Sequence, residues 1–428
     1  MLPEPTHIFP RDATPLRLLY VAPLYEPAWN GGGPVRSAST LCRALADQQV
    51  EVTVFASDNN VGERLASLTG RTAVTGGVNV HYFAWQGPRR MLYCRTMLRA
   101  LLDSVADFDV VHVDAFWLYP GLAASLACRL KHTPYIISPR GMLIEGSVSL
   151  GQSRAKSLHL ATAGRFMLDG AAAVHLTADL EKEQSSSRLR GRPTFVVPNP
   201  IDIASFEGNE SRAQVRRRLN IPETAFVLAY SGRMHQRKAL PVVIRALERV
   251  RRTMEDVYLV LAGPDRGQRA LLSNLVSSLG LEAAVRFPGR LDRPALASVL
   301  GASDVVVLTP YEGENFGNAC VEAMGLGLPA ILSHNVGVAS EAVAAGAAIV
   351  TRVDESDIAA AVERLNGDRP LAQSMGARAR DYVLGRYSPR AVATEMMSHY
   401  QAVSSTKRFD TSLRSTGVEE APPKPDVR

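Results

Sequence analysis

The stretch DVVVLTPYEGENFGNACVEAMGLGLPAILS, residues 304–333, holds one full turn of an α/β sheet. Its first part, DVVVLTP, is a continuous β-branched run of the kind found in strands buried on both faces. EGENFG then breaks the apolar pattern. NACVEAMGLG has helical spacing and closes on Gly325, Gly327 and Pro329. PAILS starts the next strand. A strand that returns to its neighbour through a helix is a parallel strand, because a parallel pair needs a crossover connection.

The same alternation extends in both directions. Upstream lie the runs Leu16–Pro23, Val50–Ser57, Asp109–Phe116, Pro134–Ser138, Ala171–Thr177 and Thr194–Pro198. Further along are Ala225–Gly232, Val257–Gly263, Ala283–Gly289, Asp304–Pro310, Pro329–Ser333 and Ala347–Val350. Between them, segments such as ALPVVIRALERVRRTM place apolar residues near i, i+3, i+4 and i+7. A dozen parallel strands is too many for one ordinary sheet, so the fold class is α/β with two doubly wound, Rossmann-like domains. A chain of 428 residues agrees with two cores.

VPNPIDIASFEGNESR, Val197–Arg212, interrupts the apolar pattern with prolines and polar residues and marks the domain boundary. The expected organisation is a first domain over 16–200, a second over 201–387, and a closing helix over 388–403. Tails over 1–15 and 404–428 have little to bury and are expected to be disordered.

Composition narrows the function classes. Hydrophobic residues make up 46% and charged residues 21%, which is globular. No apolar run is long enough to span a bilayer, and the leading residues lack a signal-peptide core, so a cytoplasmic protein is expected. Cys42, Cys94, Cys128 and Cys320 form no CxxC pair and read as small core hydrophobes. The net charge of +6 favours anionic partners. The basic residues are scattered without a nucleic-acid motif, so no nucleic-acid partner is expected.

Three segments carry candidate chemistry. In the opening stretch, Glu314 and Glu322 have seven residues between them. With Glu314 in the loop and Glu322 in the first turns of the helix, both can face one cleft and accept hydrogen bonds from sugar hydroxyls. Gly317 would let a ligand approach the backbone, and the free N–H groups of the helix start favour an anion. Taken alone, the pair equally fits a solvated Glu322 and a Glu314 that offsets the helix dipole. The second segment, SGRMHQRKAL (Ser231–Leu240), sets Arg233 and Lys238 about a strand-to-helix turn. A planar fork and a mobile point charge suit the charge that grows on a departing diphosphate. The third, NGGGPVRS (Asn30–Ser37), offers Gly31, Gly32 and Gly33 as a flexible turn facing that diphosphate from the other domain. It matches neither GxGxxG nor GxxxxGK[ST], which counts against a dehydrogenase or a P-loop NTPase.

In this order and at these places, the three segments resemble glycosyltransferase family 4, the retaining transferases of GT-B architecture. The resemblance covers about Leu16 to Val403. ENFGNACVE with EAMGLGLPAI is similar to the family's E-x7-E segment, GRMHQRKAL to its GR-x4-K, and VPNPID to its interdomain Asn-Gly-Val-Asp with Pro200 for the glycine. SPRGML, Ser138–Leu143, resembles a segment of members that build bacterial surface polysaccharides.

The resemblance implies two Rossmann-like domains about a cleft, with a C-terminal helix crossing back to the first. It implies a UDP-, GDP- or ADP-sugar donor and a glycan or lipid-linked acceptor. Arg233 and Lys238 would hold the diphosphate and Glu314 would touch the transferred sugar. Glu322 would take the ribose, with Gly32, Gly33, Asn315, Phe316 and Gly317 completing the donor site. Where many members carry a histidine, this chain has Ser138, Pro139 and Arg140. Arg140 is thus a candidate sugar or acceptor contact, or a solvated loop residue. The usual double glycine before Glu341 is reduced to Gly337. His112 and His175 lie on strand patterns and read as structural.

No Asp-x-Asp pair stands in a convincing loop, so neither metal nor other cofactor is expected. The basic amphipathic segment Gly87–Leu102 is either a core-facing surface helix or a contact with anionic membrane on its inner face. Two other readings compete: a nucleotide-sugar epimerase of the same fold, which would convert donor without acceptor, and a non-catalytic nucleotide-sugar-binding protein.

Overall fold

The computed structural model describes residues 15–87, 91–144 and 157–415, with side chains to Ser405. Most of the expected leading tail, the end of the expected trailing one, and Pro88–Arg90 of the amphipathic segment lie outside these residues.

All twelve apolar runs are strands. The first sheet takes β1 (Arg17–Ala22), β2 (Glu51–Ser57), β5 (Thr72–Thr75), β6 (Val78–Phe83), β7 (Val110–Asp114), β8 (Tyr135–Ser138), β9 (Ala173–Leu176) and β10 (Thr194–Val196) in the order β10-β9-β8-β7-β1-β2-β6-β5. A small ribbon, β3 (Asn59–Asn60) with β4 (Glu63–Arg64), stands apart. The second sheet takes β11 (Phe226–Ser231), β12 (Val257–Ala262), β13 (Val285–Gly289), β14 (Val305–Leu308), β15 (Ala330–Ser333) and β16 (Ala348–Thr351) in the order β13-β12-β11-β14-β15-β16. Every pair in the two sheets is parallel except β5 with β6. The sequence reading missed β5, the edge strand, and β6 beside it. There VNVHYF alternates buried with exposed or half-exposed residues instead of running apolar throughout.

The strand order reverses between β1 and β7 in the first sheet and between β11 and β14 in the second. Adjacent crossovers leave such a point in opposite directions, which opens a crevice at the carboxyl strand ends.

The closing helix, Pro389–Ser415, buries Val392, Ala393, Met396, Met397 and Tyr400 against Leu18, Tyr20 and Leu41 of the first domain. It continues to Ser415, past the Val403 expected from the sequence, so part of the segment read as a disordered tail is helical. In the amphipathic segment, the helix Arg95–Ser104 sends Met97 and Leu101 into the first-domain core. Those apolar residues are therefore not free to meet lipid. Among the described residues, no helix is long and apolar enough to cross a membrane. The four cysteines are buried and unbridged.

Candidate active site

Each motif read from the sequence follows a strand that flanks a reversal point. The glycines come after β1, Arg233 to Lys238 after β11, and the glutamate loop after β14. The two reversal points face one another. A Cβ added to Gly33 would stand 2.9 Å from the Asn318 amide nitrogen of the other domain.

Lys238 closes a short turn, Gln236–Lys238, and its ammonium contacts the Glu314 carboxylate, 76 residues away in the chain. The two side chains are 15% and 31% exposed, so the pair is held by the protein yet open to a ligand. Glu314 is fixed through its backbone: its N–H donates to Asn335 O at 2.8 Å, and its carbonyl accepts from Gly337 N–H at 2.9 Å. Gly337 has to be glycine here, since a Cβ would stand 2.0 Å from Asn315 O. Arg233 is exposed, and its carbonyl accepts from the Tyr230 hydroxyl at 2.9 Å. The Tyr230 phenol is pushed above its ordinary value, first by burial and then by the Glu314 charge.

Glu322 faces a different cation. Arg293 Nη1 donates to its Oε1 at 2.9 Å, while the same guanidinium lies 4.5 Å from the centre of the Phe206 ring. Arg36, from the glycine-turn helix, stands near both. Burial lowers its pKa, the positive Arg293 lowers it further, and Glu322 opposes the shift. Arg290 donates to Asn30 Oδ1 across the cleft at 2.9 Å. The sequence reading did not select Arg36, Arg290 or Arg293. Arg36 could have been found within NGGGPVRS, whereas the other two follow a strand that carries no motif.

The helices Gly33–Ala46 and Asn318–Gly325 both begin at this cleft without a side-chain cap. Their N-caps, Gly32 at φ 76° and Gly317 at φ 98°, occupy the left-handed region that favours glycine. Uncapped first-turn N–H groups and the positive ends of two helix dipoles make the gap between them suited to an anion.

One expected contact needs correcting, and two expected donor residues have their side chains turned inward. Arg140 is neither solvated nor facing the cleft. Its side chain is 7% exposed; Nε donates to Asp114 Oδ1 at 2.6 Å, Nη2 to the Tyr20 hydroxyl at 2.9 Å, and Nη1 to Asn199 Oδ1. Each of its three nitrogens thus donates to a partner inside the protein. The Asn315 side chain points into the first domain, toward Thr177 and Glu181. Phe316 is a core residue, its ring packed edge-on against Tyr387 with centres 5.3 Å apart.

His112 and His175 are buried and linked in series. Tyr400 OH lies 2.6 Å from His112 Nδ1, and His112 Nε2 lies 2.6 Å from Ser138 Oγ. Ser138 Oγ lies 2.6 Å from His175 Nδ1, and His175 Nε2 is 2.8 Å from Val197 O. The chain ties the closing helix to the interdomain linker. Asp107 and Asp109 make an Asp-x-Asp, but it precedes β7 at the opposite end of the sheet, where Asp109 accepts from Arg17 N–H at 2.8 Å.

Residues 211–382 match the family described as glycosyl transferases group 1, and residues 32–200 match the glycosyl transferase 4-like domain. A D-inositol 3-phosphate glycosyltransferase of Stackebrandtia nassauensis is 28% identical over 419 residues, covering 89% of both chains. Sucrose-phosphate synthase from Thermosynechococcus elongatus is similar in fold, with TM-score 0.72 and 19% identity, over 91% of this chain and 100% of that one. Anabaena HepE, solved with UDP and glucose, has TM-score 0.70 and 18% identity, over 90% and 100% of the two chains.

Proposed function

With a second domain belonging to the glycosyl transferases group 1 and a first domain of the glycosyl transferase 4-like kind, the chain is a glycosyltransferase of the GT-B type, and we propose that it transfers a hexose from a nucleoside-diphosphate sugar with retained anomeric configuration. The observation that carries this reading is the Lys238–Glu314 contact beside two uncapped helix starts. A cation, a carboxylate and free N–H groups are the donors and acceptors that a sugar joined to a diphosphate requires.

In this mechanism Arg233 and Lys238 take the diphosphate and stabilise the charge that grows on it as the glycosidic bond breaks. Gly32 and Gly33 admit it closely from the first domain. Glu314 orients the sugar and eases its oxocarbenium-like charge, while Glu322 exchanges Arg293 for the ribose hydroxyls. The leaving phosphate takes the proton of the incoming hydroxyl on the same face. A glycosidase would instead use two carboxylates flanking the bond, whereas here each glutamate is paired with a cation. The reaction is proposed to need no metal.

The proposed acceptor is a glycan or lipid-linked glycan of surface-polysaccharide synthesis, met in the cytoplasm or at the inner membrane face. A phosphorylated sugar or polyol is the second reading, favoured by the names of the relatives. The test incubates the full chain with UDP-, GDP- or ADP-glucose in EDTA, with each acceptor class and with none. Acceptor-dependent release of nucleoside diphosphate and an axial product linkage by NMR are expected. A new nucleotide sugar formed without acceptor would instead mean an epimerase.

A further inference from the structure

The loop that carries Glu314 is held in part by the other domain, through side chains to which the proposed mechanism gives no role. The Asn315 amide nitrogen donates to the two Glu181 oxygens at 3.2 and 3.0 Å, and its oxygen faces Thr177 Oγ1 at 2.8 Å. Glu181, on the helix Asp179–Leu189, is 0% exposed. It also accepts from Gly141 N–H at 2.5 Å and Thr177 N–H at 2.7 Å, with Thr177 Oγ1 2.9 Å away. Asn315 is gripped from both sides: a Cβ on Gly141 would stand 2.9 Å from its Cβ, and one on Gly337 would strike its carbonyl oxygen.

Three residues on, the Asn318 oxygen accepts from Asn199 Nδ2 at 3.0 Å, and its amide donates to Ser37 Oγ at 3.0 Å. Asn199 is itself fixed by Arg140.

These contacts are unequal in a way that permits release. When the domains part, Asn315 and Asn318 lose first-domain partners and meet water. Glu181 keeps the Gly141 and Thr177 donors, so no buried charge is orphaned. Permanent glue would not need a carboxylate already satisfied from its own side.

We infer that Glu181 and Asn199 are positioning residues that register Asn315 and Asn318 on the first domain, so that the loop bearing Glu314 is set for the sugar only when the cleft is closed. The inference rests on the proposed role of Glu314. Arg233 and Lys238 lie wholly in the second domain, so without the latch diphosphate binding keeps its charged clamp and loses only the Gly32 and Gly33 side, whereas transfer loses the setting of Glu314.

Glu181→Gln puts an amide donor where the surrounding groups are donors, and Asn315, the partner free to move, is expelled. With the full chain, UDP affinity by calorimetry should stay within about threefold of wild type. kcat should fall by about tenfold or more, since small misplacements of reacting groups carry penalties of that order. Small-angle scattering without ligand should show a larger radius of gyration. Asn315→Ala should repeat all three results and carries the test if the buried variant fails to fold. An unchanged kcat with unchanged compactness would overturn the inference, as would proportional losses of UDP affinity and kcat. A wild-type chain that neither binds UDP nor transfers sugar would sink the proposed function, while the scattering comparison would still judge the latch.

Discussion

At the cleft Lys238 holds Glu314 with side chains 15% and 31% exposed; in the first domain Arg140 holds Asp114 with side chains 7% and 6% exposed. Both are cation–carboxylate pairs between residues distant in sequence. The first leaves carboxylate and ammonium positions open to solvent, so a ligand can enter the pair and exchange partners. The second is closed by the Tyr20 hydroxyl and Asn199, and nothing can enter without leaving a charge unpaired in a dry site. Exposure, more than residue type, separates an ion pair open to a ligand from one closed inside the fold.

Arg140→Ala should produce the largest effect, because it strands Asp114. A loss of about 3–5 kcal/mol in urea denaturation is expected, and a loss below 1 kcal/mol would remove the contrast. Lys238→Ala should behave oppositely. Turnover should fall by about 10²–10³-fold, as when one donor to a developing anion is removed. Stability should change by only about 0–1 kcal/mol, as for a partly exposed pair. A Lys238→Ala variant as unstable as Arg140→Ala would show that the two pairs are alike.

The buried histidines sharpen the comparison with a smaller effect. Burial, aided by the nearby Arg140 charge, pushes His175 down to about 3, against the Val197 hydrogen bond, and burial takes His112 well below its ordinary value. The unfolded chain therefore binds protons from about pH 6.5 downward while the folded chain refuses them. Their contribution is complete above that pH and is lost as pH falls toward 3. For His175 the expected slope is about 1.4 kcal/mol per pH unit between those limits. Denaturation of wild type and His175→Gln across pH 7.5 to 4.5 isolates it, because Glu181, whose pKa burial raises, contributes equally to both. Parallel curves would mean that His175 is protonated in the fold.

The strands and most of the candidate site were legible in the sequence for a local reason. A strand buried on both faces is written as an uninterrupted apolar run, and a carboxyl-end loop is written just after it. Lys238 and Glu314 could be named because each sits on such a loop. Arg140 also follows a strand, and its local sequence does not distinguish a cleft arginine from a buried one. The difference lies in Asp114, Tyr20 and Asn199, which come from three other places in the chain. The side-chain partners of Asn315 were hidden for the same reason: Thr177 and Glu181 belong to the other domain.

From the sequence alone came the two doubly wound domains, their approximate meeting point and the loops that carry the charge, because periodicity and turn chemistry are properties of neighbouring residues. Only the tertiary structure decided which charges face the cleft, that Glu322 rests on Arg293, and that the first domain grips the Glu314 loop. Those outcomes depend on burial and on partners far away in the chain, and both exist only once the sheets have packed.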